Sequence, residues 1–99
     1  MKNEFFDFLG FQWDQGNLDK NLVKHKVENW ECEQIFFNAP LLVLEDPSHS
    51  RAEKRWAAFG QTDADRLLVV IFTKRGDLLR VISARDMNKK EREFYEESE

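Results

Sequence analysis

The sequence predicts an α+β domain: an antiparallel β-sheet built on a central three-stranded meander with short extra strands, two N-terminal helices and one C-terminal helix. Three observations predict it. Leu67 to Phe72 is an unbroken apolar run, the mark of a central strand covered on both faces. Thr73 to Asp77 then supplies a turn in which Gly76 is free to take positive φ, and Leu78 to Ala84 returns as a second strand. Finally, Asn88 followed by Glu91 opens a helix in the manner of a capping box, with Asn standing for the usual Ser or Thr.

The remaining elements follow in chain order. Residues 1–10 form an N-terminal arm in which Phe5, Phe6 and Phe8 alternate with charges without a clear period. Leu9 to Trp13 reads as a short strand with Leu9, Phe11 and Trp13 on one face. Asp14 is the expected N-cap of a first helix that carries Leu18, Leu22 and His25 on one line and ends near Lys26. Asn29 is a candidate cap for a second helix. Glu31 and Glu33 sit in its first turn, its buried side is Trp30, Ile35, Phe36 and Phe37, and Pro40 ends it. Leu41 to Leu44 is a short strand, and Glu45 to Lys54 a polar loop. Strands over roughly 54–61, 66–73 and 78–84 then make the meander. The expectation is a β-α-α-β-β-β-β-α order with helices on one side of the sheet.

Ninety-nine residues make one domain, residues 1–99, and nine Phe with three Trp make its core aromatic-rich. No run of about 18 apolar residues is present, so no membrane span is expected. The N-terminus lacks the basic, apolar, small-residue order of a secretory signal. Cys32 is the single cysteine, which excludes an internal disulfide and fits a reducing compartment; cytoplasmic residence is expected. One Cys and two unpaired His build no metal site, and no glycine pattern for nucleotide phosphates occurs, so no metal or cofactor is expected. Ser48, His49 and Asp46 lie in one loop, and adjacency in sequence does not make a catalytic triad.

Charge carries the functional signal. The net charge of −4 argues against a bulk nucleic-acid binder. Yet all seven Arg lie in the second half, and residues 66–92 hold eight Lys or Arg against three Asp or Glu. Arg suits planar, bidentate contact with phosphate. Arg75, Arg80 and Arg85, with Lys89 nearby, are therefore candidates for holding a phosphate backbone; the bland reading is solvated charges balanced by neighbouring Asp. Arg80 and Arg85 differ by an odd number, so a regular strand would aim them at opposite faces. To share a site they need a bulge or a strand end between them, near Ser83-Ala84. Lys24 and His25 are either a C-terminal helix cap or a phosphate-binding and proton-shuttling pair. Tyr95, the one Tyr, is either a core aromatic or a stacking and proton-donating group.

At these residues the chain resembles a known family. The matching pieces are Phe11-Gln-Trp13-Asp14, Asn21-Leu-Val-Lys24-His25, Trp30 to Phe36, Asp46-Pro-Ser-His49, and the long run from Phe72 through Arg75-Gly76, Arg80 and Ser83-Ala-Arg85. Met87 through Glu91-Arg92 to Tyr95 completes the match. In order, these resemble the BrnT toxins of bacterial type II toxin–antitoxin systems. The chain departs from the family pattern in having Asn17 where a Lys is usual and Lys26 where a Gly follows Lys-His.

The resemblance implies a RelE-like, microbial-ribonuclease-like fold and endoribonuclease action on cellular RNA that arrests translation and growth. Local positive charge and the resemblance together give a metal-independent ribonuclease in which Arg80 and Arg85 grip the scissile phosphate, Lys24 and His25 are phosphate or proton-transfer groups, Tyr95 stacks or donates a proton, and Arg55, Arg75 and Lys89 contact the RNA backbone. The implied partner is a BrnA-like ribbon-helix-helix antitoxin in a complex of two toxins and two antitoxins. DNA is reached only through that antitoxin. The competing expectation is a catalytically weak homologue that binds the antitoxin as a co-repressor.

Overall fold

The computed structural model describes residues 8–46 and 53–98; Phe5, Phe6, Ser48 and His49 lie outside the described residues. The elements are β1 (Gly10–Phe11), α1 (Lys20–His25), α2 (Asn29–Gln34) continuing into a 3-10 turn (Ile35–Phe37), β2 (Leu42–Glu45), β3 (Trp56–Gln61), β4 (Leu67–Arg75), β5 (Leu78–Asp86) and α3 (Lys89–Glu97). No helix among them is long and apolar enough to cross a membrane.

The sheet has five strands in the order β1-β5-β4-β3-β2. β2 through β5 pair antiparallel, as the meander predicts. The expectation of a purely antiparallel sheet fails at β1, which pairs parallel with β5 (Gly10 with Leu78, Phe11 with Leu79). The sheet is therefore mixed. The parallel pair is possible because two helices and three strands separate its partners, a connection long enough to return the chain in the same direction.

The hairpin between β4 and β5 is tighter than the sequence suggests. Pairing runs to Arg75–Leu78, so only Gly76 and Asp77 turn the chain. Gly76 takes φ 61, the positive value a two-residue hairpin needs at its first central residue. Further along, Phe72 pairs with Val81 but Ile71 pairs with Ser83. Ile82 is thus an extra residue in β5, a bulge that reverses the in–out alternation beyond it.

That alternation sorts the core into two layers. Leu68, Val70 and Phe72 of β4, with Leu79, Val81 and Ala84 of β5, face Cys32, Ile35 and Phe36 from α2 and its 3-10 extension. Val69 of β4 faces the other way, with Phe59, Met87 and Tyr95 of α3. Helices therefore cover both faces, not one as expected: α2 lies on one side and α3 on the other. Gly60 of β3 allows the first of these contacts, since a Cβ there would sit 2.9 Å from Cβ of Ile35.

α1 begins at Lys20, later than an Asp14 cap would place it. Asp14 instead closes a turn, its carbonyl accepting from the N–H of Leu18 (2.7 Å). The helix docks by polar side chains and not by its apolar line: Leu18 is half exposed, whereas Asn21 is buried. Asn21 Oδ1 accepts the N–H of Ala84 (3.0 Å), Asn17 Nδ2 donates to the carbonyl of Val81 (3.0 Å), and Lys20 Nζ to that of Ile82 (3.1 Å). These side chains take over the edge of β5 where β1 ends.

Arg66 joins the parts. Its Nε and Nη2 donate to Asp86 (2.7 and 3.0 Å), and Nη1 donates to both oxygens of Glu31 (3.0 and 3.2 Å). Nη1 also reaches the carbonyl of Lys26 (2.9 Å), and Nη2 that of His25 (3.5 Å), so a cation meets the C-terminal end of α1. Glu31 is meanwhile the capping-box residue of α2, accepting the N–H of Glu28.

Candidate functional site

α3 covers only part of its side of the sheet. Leu67, Val69 and Ile71 lie under or beside it. Continuing the same face along β4 leads to Thr73 and Arg75, and these lie opposite Arg80 and Leu78 of β5. Arg85 pairs with Val69 on this face as well. The bulge at Ile82 is what brings Arg80 and Arg85 to one face, the condition their odd spacing demanded.

The same face holds three guanidiniums, and each meets a carboxylate side by side. Arg75 donates through Nε and Nη2 to Glu53 (2.8 and 3.0 Å). Arg80 donates through Nη1 and Nη2 to Asp14 (2.7 and 3.0 Å). Arg85 does the same to Glu91 (2.7 and 2.9 Å). In each pair the Arg holds the carboxyl below its ordinary range: Arg80 for Asp14, helped by the N–H of Gly16; Arg75 for Glu53; Arg85 for Glu91, helped by the N–H of Asn88. All three carboxylates are therefore ionised at neutral pH.

Arg75 and Arg80 converge. Gln12, which follows β1 and lies next to β5, offers one carboxamide oxygen to both: Nη1 of Arg80 donates to it at 3.1 Å and Nη1 of Arg75 at 3.4 Å. Two cations sharing one neutral acceptor oxygen make a ready position for a phosphate oxygen. Arg80 is seated deeply, with its side chain 12% exposed, whereas that of Arg75 is 45% exposed. Behind Arg80 the backbone comes close: a Cβ on Gly16 would lie 2.8 Å from Nη2 of Arg80.

Arg85 does not join this pair. It stands five residues along β5, roughly 13–16 Å away at the strand rise, and its guanidinium turns to α3. Lys89, at the start of α3, is exposed beside it in sequence. Arg55 is half-buried just before β3, and its charge acts on Glu53. Lys24 and His25 end α1, where the His25 carbonyl accepts from Nη2 of Arg66, which is itself paired with Asp86; they stand with that ion-pair group and not with the Arg75–Arg80 pair. Tyr95 is fully buried in the α3 layer, and its hydroxyl donates to the carbonyl of Pro40 (2.6 Å). That is the placement of a core aromatic, one of its two sequence readings.

Three residues of the group escaped the sequence reading as site residues: Gln12, Asp14 and Glu53. A signal for the first two was present. If Phe11 and Trp13 face the core by period 2, then Gln12 and Asp14 face the other way together. Glu53 carried none, being one acid in a polar loop.

A family model described as "Ribonuclease toxin, BrnT, of type II toxin-antitoxin system" matches residues 13–91. A search of curated proteins finds no match to this chain.

Proposed function

The chain belongs to the BrnT ribonuclease toxins of type II toxin–antitoxin systems, and from that premise we propose that it is a metal-independent endoribonuclease whose Arg75 and Arg80 grip the phosphate of the bond to be cut. The single observation that carries this reading is the convergence of the two guanidiniums on Gln12 Oε1. In metal-free cleavage the ribose 2′-oxygen attacks the neighbouring phosphorus. The 5′-oxygen leaves, and a 2′,3′-cyclic phosphate remains. Negative charge grows on the non-bridging oxygens in the transition state, and fixed donors aimed there lower the barrier most. Arg80, held on two sides by Gln12 and Asp14, is such a fixed donor.

Arg55, Arg85 and Lys89 extend the positive face on either side of the pair and are proposed to hold flanking phosphates. Lys24 and His25 end α1 beside Arg66 and not at this pair, so at a phosphate held there the 2′-hydroxyl gives its proton to water and the 5′-oxygen takes one from water. Tyr95 is left out of the set because its hydroxyl is buried and already bonded. The type II family implies a protein antitoxin; we take it to be a BrnA-like ribbon-helix-helix protein in a two-to-two complex, acting in the cytoplasm.

The test is to replace Arg75 and Arg80 singly by Ala, induce each variant without antitoxin, and map RNA 5′ ends alongside growth. Loss of one such donor costs roughly 10²–10³ in rate, so both arrest and new ends are expected to vanish. Full activity in both variants, with unchanged circular dichroism, removes the pair from the mechanism. A second reading is favoured by the neutralised state of the three Arg: a weak toxin retained as a co-repressor. It predicts tight antitoxin binding with RNA left intact over long incubation.

A further inference from the structure

The two carboxylates on the converging guanidiniums are held differently. Asp14 is fixed by its own backbone: Oδ1 accepts the N–H of Gly16 (2.9 Å), and its N–H donates to Asn17 Oδ1 (2.8 Å). Asn17 is in turn buried and anchored to the carbonyls of Gln12 and Val81. Asp14 therefore stays where it is whether or not Arg80 meets a second anion. Glu53 accepts from no backbone N–H among the described residues; besides Arg75 only the Thr73 side chain acts on its carboxylate, and the Thr73 hydroxyl donates to the carbonyl of Lys54 (2.7 Å). It precedes β3 by three residues and has one more rotatable bond than Asp, and its partner Arg75 is the more exposed of the two Arg. With both carboxylates in place, two positive charges face two negative ones, and an incoming phosphate gains no net attraction from the pair.

We propose that Glu53 occupies, on Arg75, the place of an RNA phosphate and is displaced when RNA binds, while Asp14 remains on Arg80 as its positioning residue. This deepens the phosphate-grip reading and rests on it. Glu53 presents to Nε and Nη2 of Arg75 two oxygens in the planar arrangement that a phosphate also presents. Its charge does not lapse at physiological pH, because Arg75 itself keeps the carboxyl low. RNA binding to this chain is accordingly an exchange of one anion for another at Arg75. At Arg80 it is an addition beside an anion that stays.

The exchange has a signature in salt dependence. Each protein cation newly placed on a single-stranded phosphate adds about 0.7 to the steepness of log affinity against log salt. When Glu53 leaves Arg75 to solution, part of that gain is offset by the carboxylate regaining its own counterions. Removing the Glu53 charge beforehand abolishes the competition.

The experiment measures binding of a 2′-O-methyl oligoribonucleotide, which cannot be cleaved by attack of the 2′-oxygen, at several salt concentrations. Full-length wild type, E53Q, D14N, R75A and R80A are compared, with cleavage of the unmethylated oligoribonucleotide followed in parallel. E53Q is expected to bind about 1.5–5-fold more tightly at low salt, an order-of-magnitude figure for freeing one near-surface cation, with the slope steeper by up to about 0.7. D14N is expected to bind no more tightly than wild type and without steepening, at an unchanged urea midpoint. A merely structural Asp14 does not predict that pattern for binding. If E53Q binds like wild type or more weakly while R75A weakens binding, the phosphate grip stands and the displacement fails. If D14N steepens the slope as E53Q does, both acids are competitors and the proposed asymmetry fails. If R75A and R80A leave binding and cleavage untouched, the underlying grip fails instead.

Discussion

Arg66 is the sharpest place to test how this fold is held. Replacing it with Met keeps the stem of the side chain and removes the guanidinium. A bidentate pair with Asp86 and one Nη1 shared by both oxygens of Glu31 are lost, together with donors to the carbonyls of His25 and Lys26. The Glu31 side is the more costly, because the Glu31 side chain is 12% exposed and keeps only its capping partner. A charge-assisted hydrogen bond at such a site contributes about 1.5–3 kcal/mol. The Asp86 side is worth less, about 0.2–1 kcal/mol, since that carboxylate is mostly in water. The sum is on the order of 2–4 kcal/mol, a large share of the roughly 5–15 kcal/mol that stabilises a small domain. At about 4–8 °C per kcal/mol for this size, R66M should melt roughly 10–30 °C below wild type by circular dichroism.

R85M is the matched control. It removes a two-point pair between near neighbours, with the Arg85 side chain 44% and the Glu91 side chain 20% exposed, and should shift the melt by less than about 8 °C. Equal shifts in the two variants refute the argument. They would mean that the number of hydrogen bonds matters and that the junction of α1, α2, β4 and β5 does not.

Three further outcomes are expected. G16A should melt within about 3 °C of wild type, because the atoms its Cβ meets are side-chain ends, Nη2 of Arg80 at 2.8 Å and Oδ1 of Asp14 at 3.1 Å; cleavage should still fall about 10–100-fold as the two shift together. Wild-type activity in G16A would show that the seating of Arg80 is immaterial. Acid should destabilise the fold with a defined sign: Asp86 and Glu91 have carboxyls held below their ordinary 3.8 and 4.5 by Arg66 and Arg85, so their contribution is complete above those values and is lost as pH falls through the lowered ones. Melting temperature should be level above pH 5 and fall below about 4.5, less steeply in E91Q. Finally, Cys32 is fully buried, and burial pushes its thiol up to about 12, so native protein should not react with a thiol reagent at pH 8 while urea-unfolded protein should react at once. Rapid labelling of the native chain would contradict its place in the core.

The meander was legible because its signals are local. An apolar run, a glycine turn and a returning strand specify β4 and β5 without reference to the rest of the chain. β1 was not fully legible: its two residues say strand, but the choice of β5 as a parallel partner is made by the whole fold. The side of the sheet taken by α3 was equally hidden, since both faces of β4 are apolar. The α1 stripe of Leu18, Leu22 and His25 pointed to the wrong surface, because this helix docks through Asn21 and Lys20 on unpaired backbone groups. For the site, the sequence supplied the Arg and the parity question at Arg80 and Arg85. It could not supply the answer, because nothing in Val81-Ile82-Ser83 announces a bulge. Nor could it supply the partners: Asp14 stands 66 positions from Arg80, and Glu53 22 from Arg75.

A sheet usually has two edges at which a stray strand can add. Here the β5 side has little to offer one. Past the two residues of β1, the backbone groups of Val81, Ile82 and Ala84 are already taken by Asn17, Lys20 and Asn21. Side chains cannot propagate pairing as a strand can, so growth of the sheet in that direction stops at α1. The other terminal strand, β2, holds the apolar run Leu42-Val43-Leu44 and is the end from which any sheet-to-sheet association of this protein would grow. A charged residue at Leu44, which is already half exposed, would close that end as well.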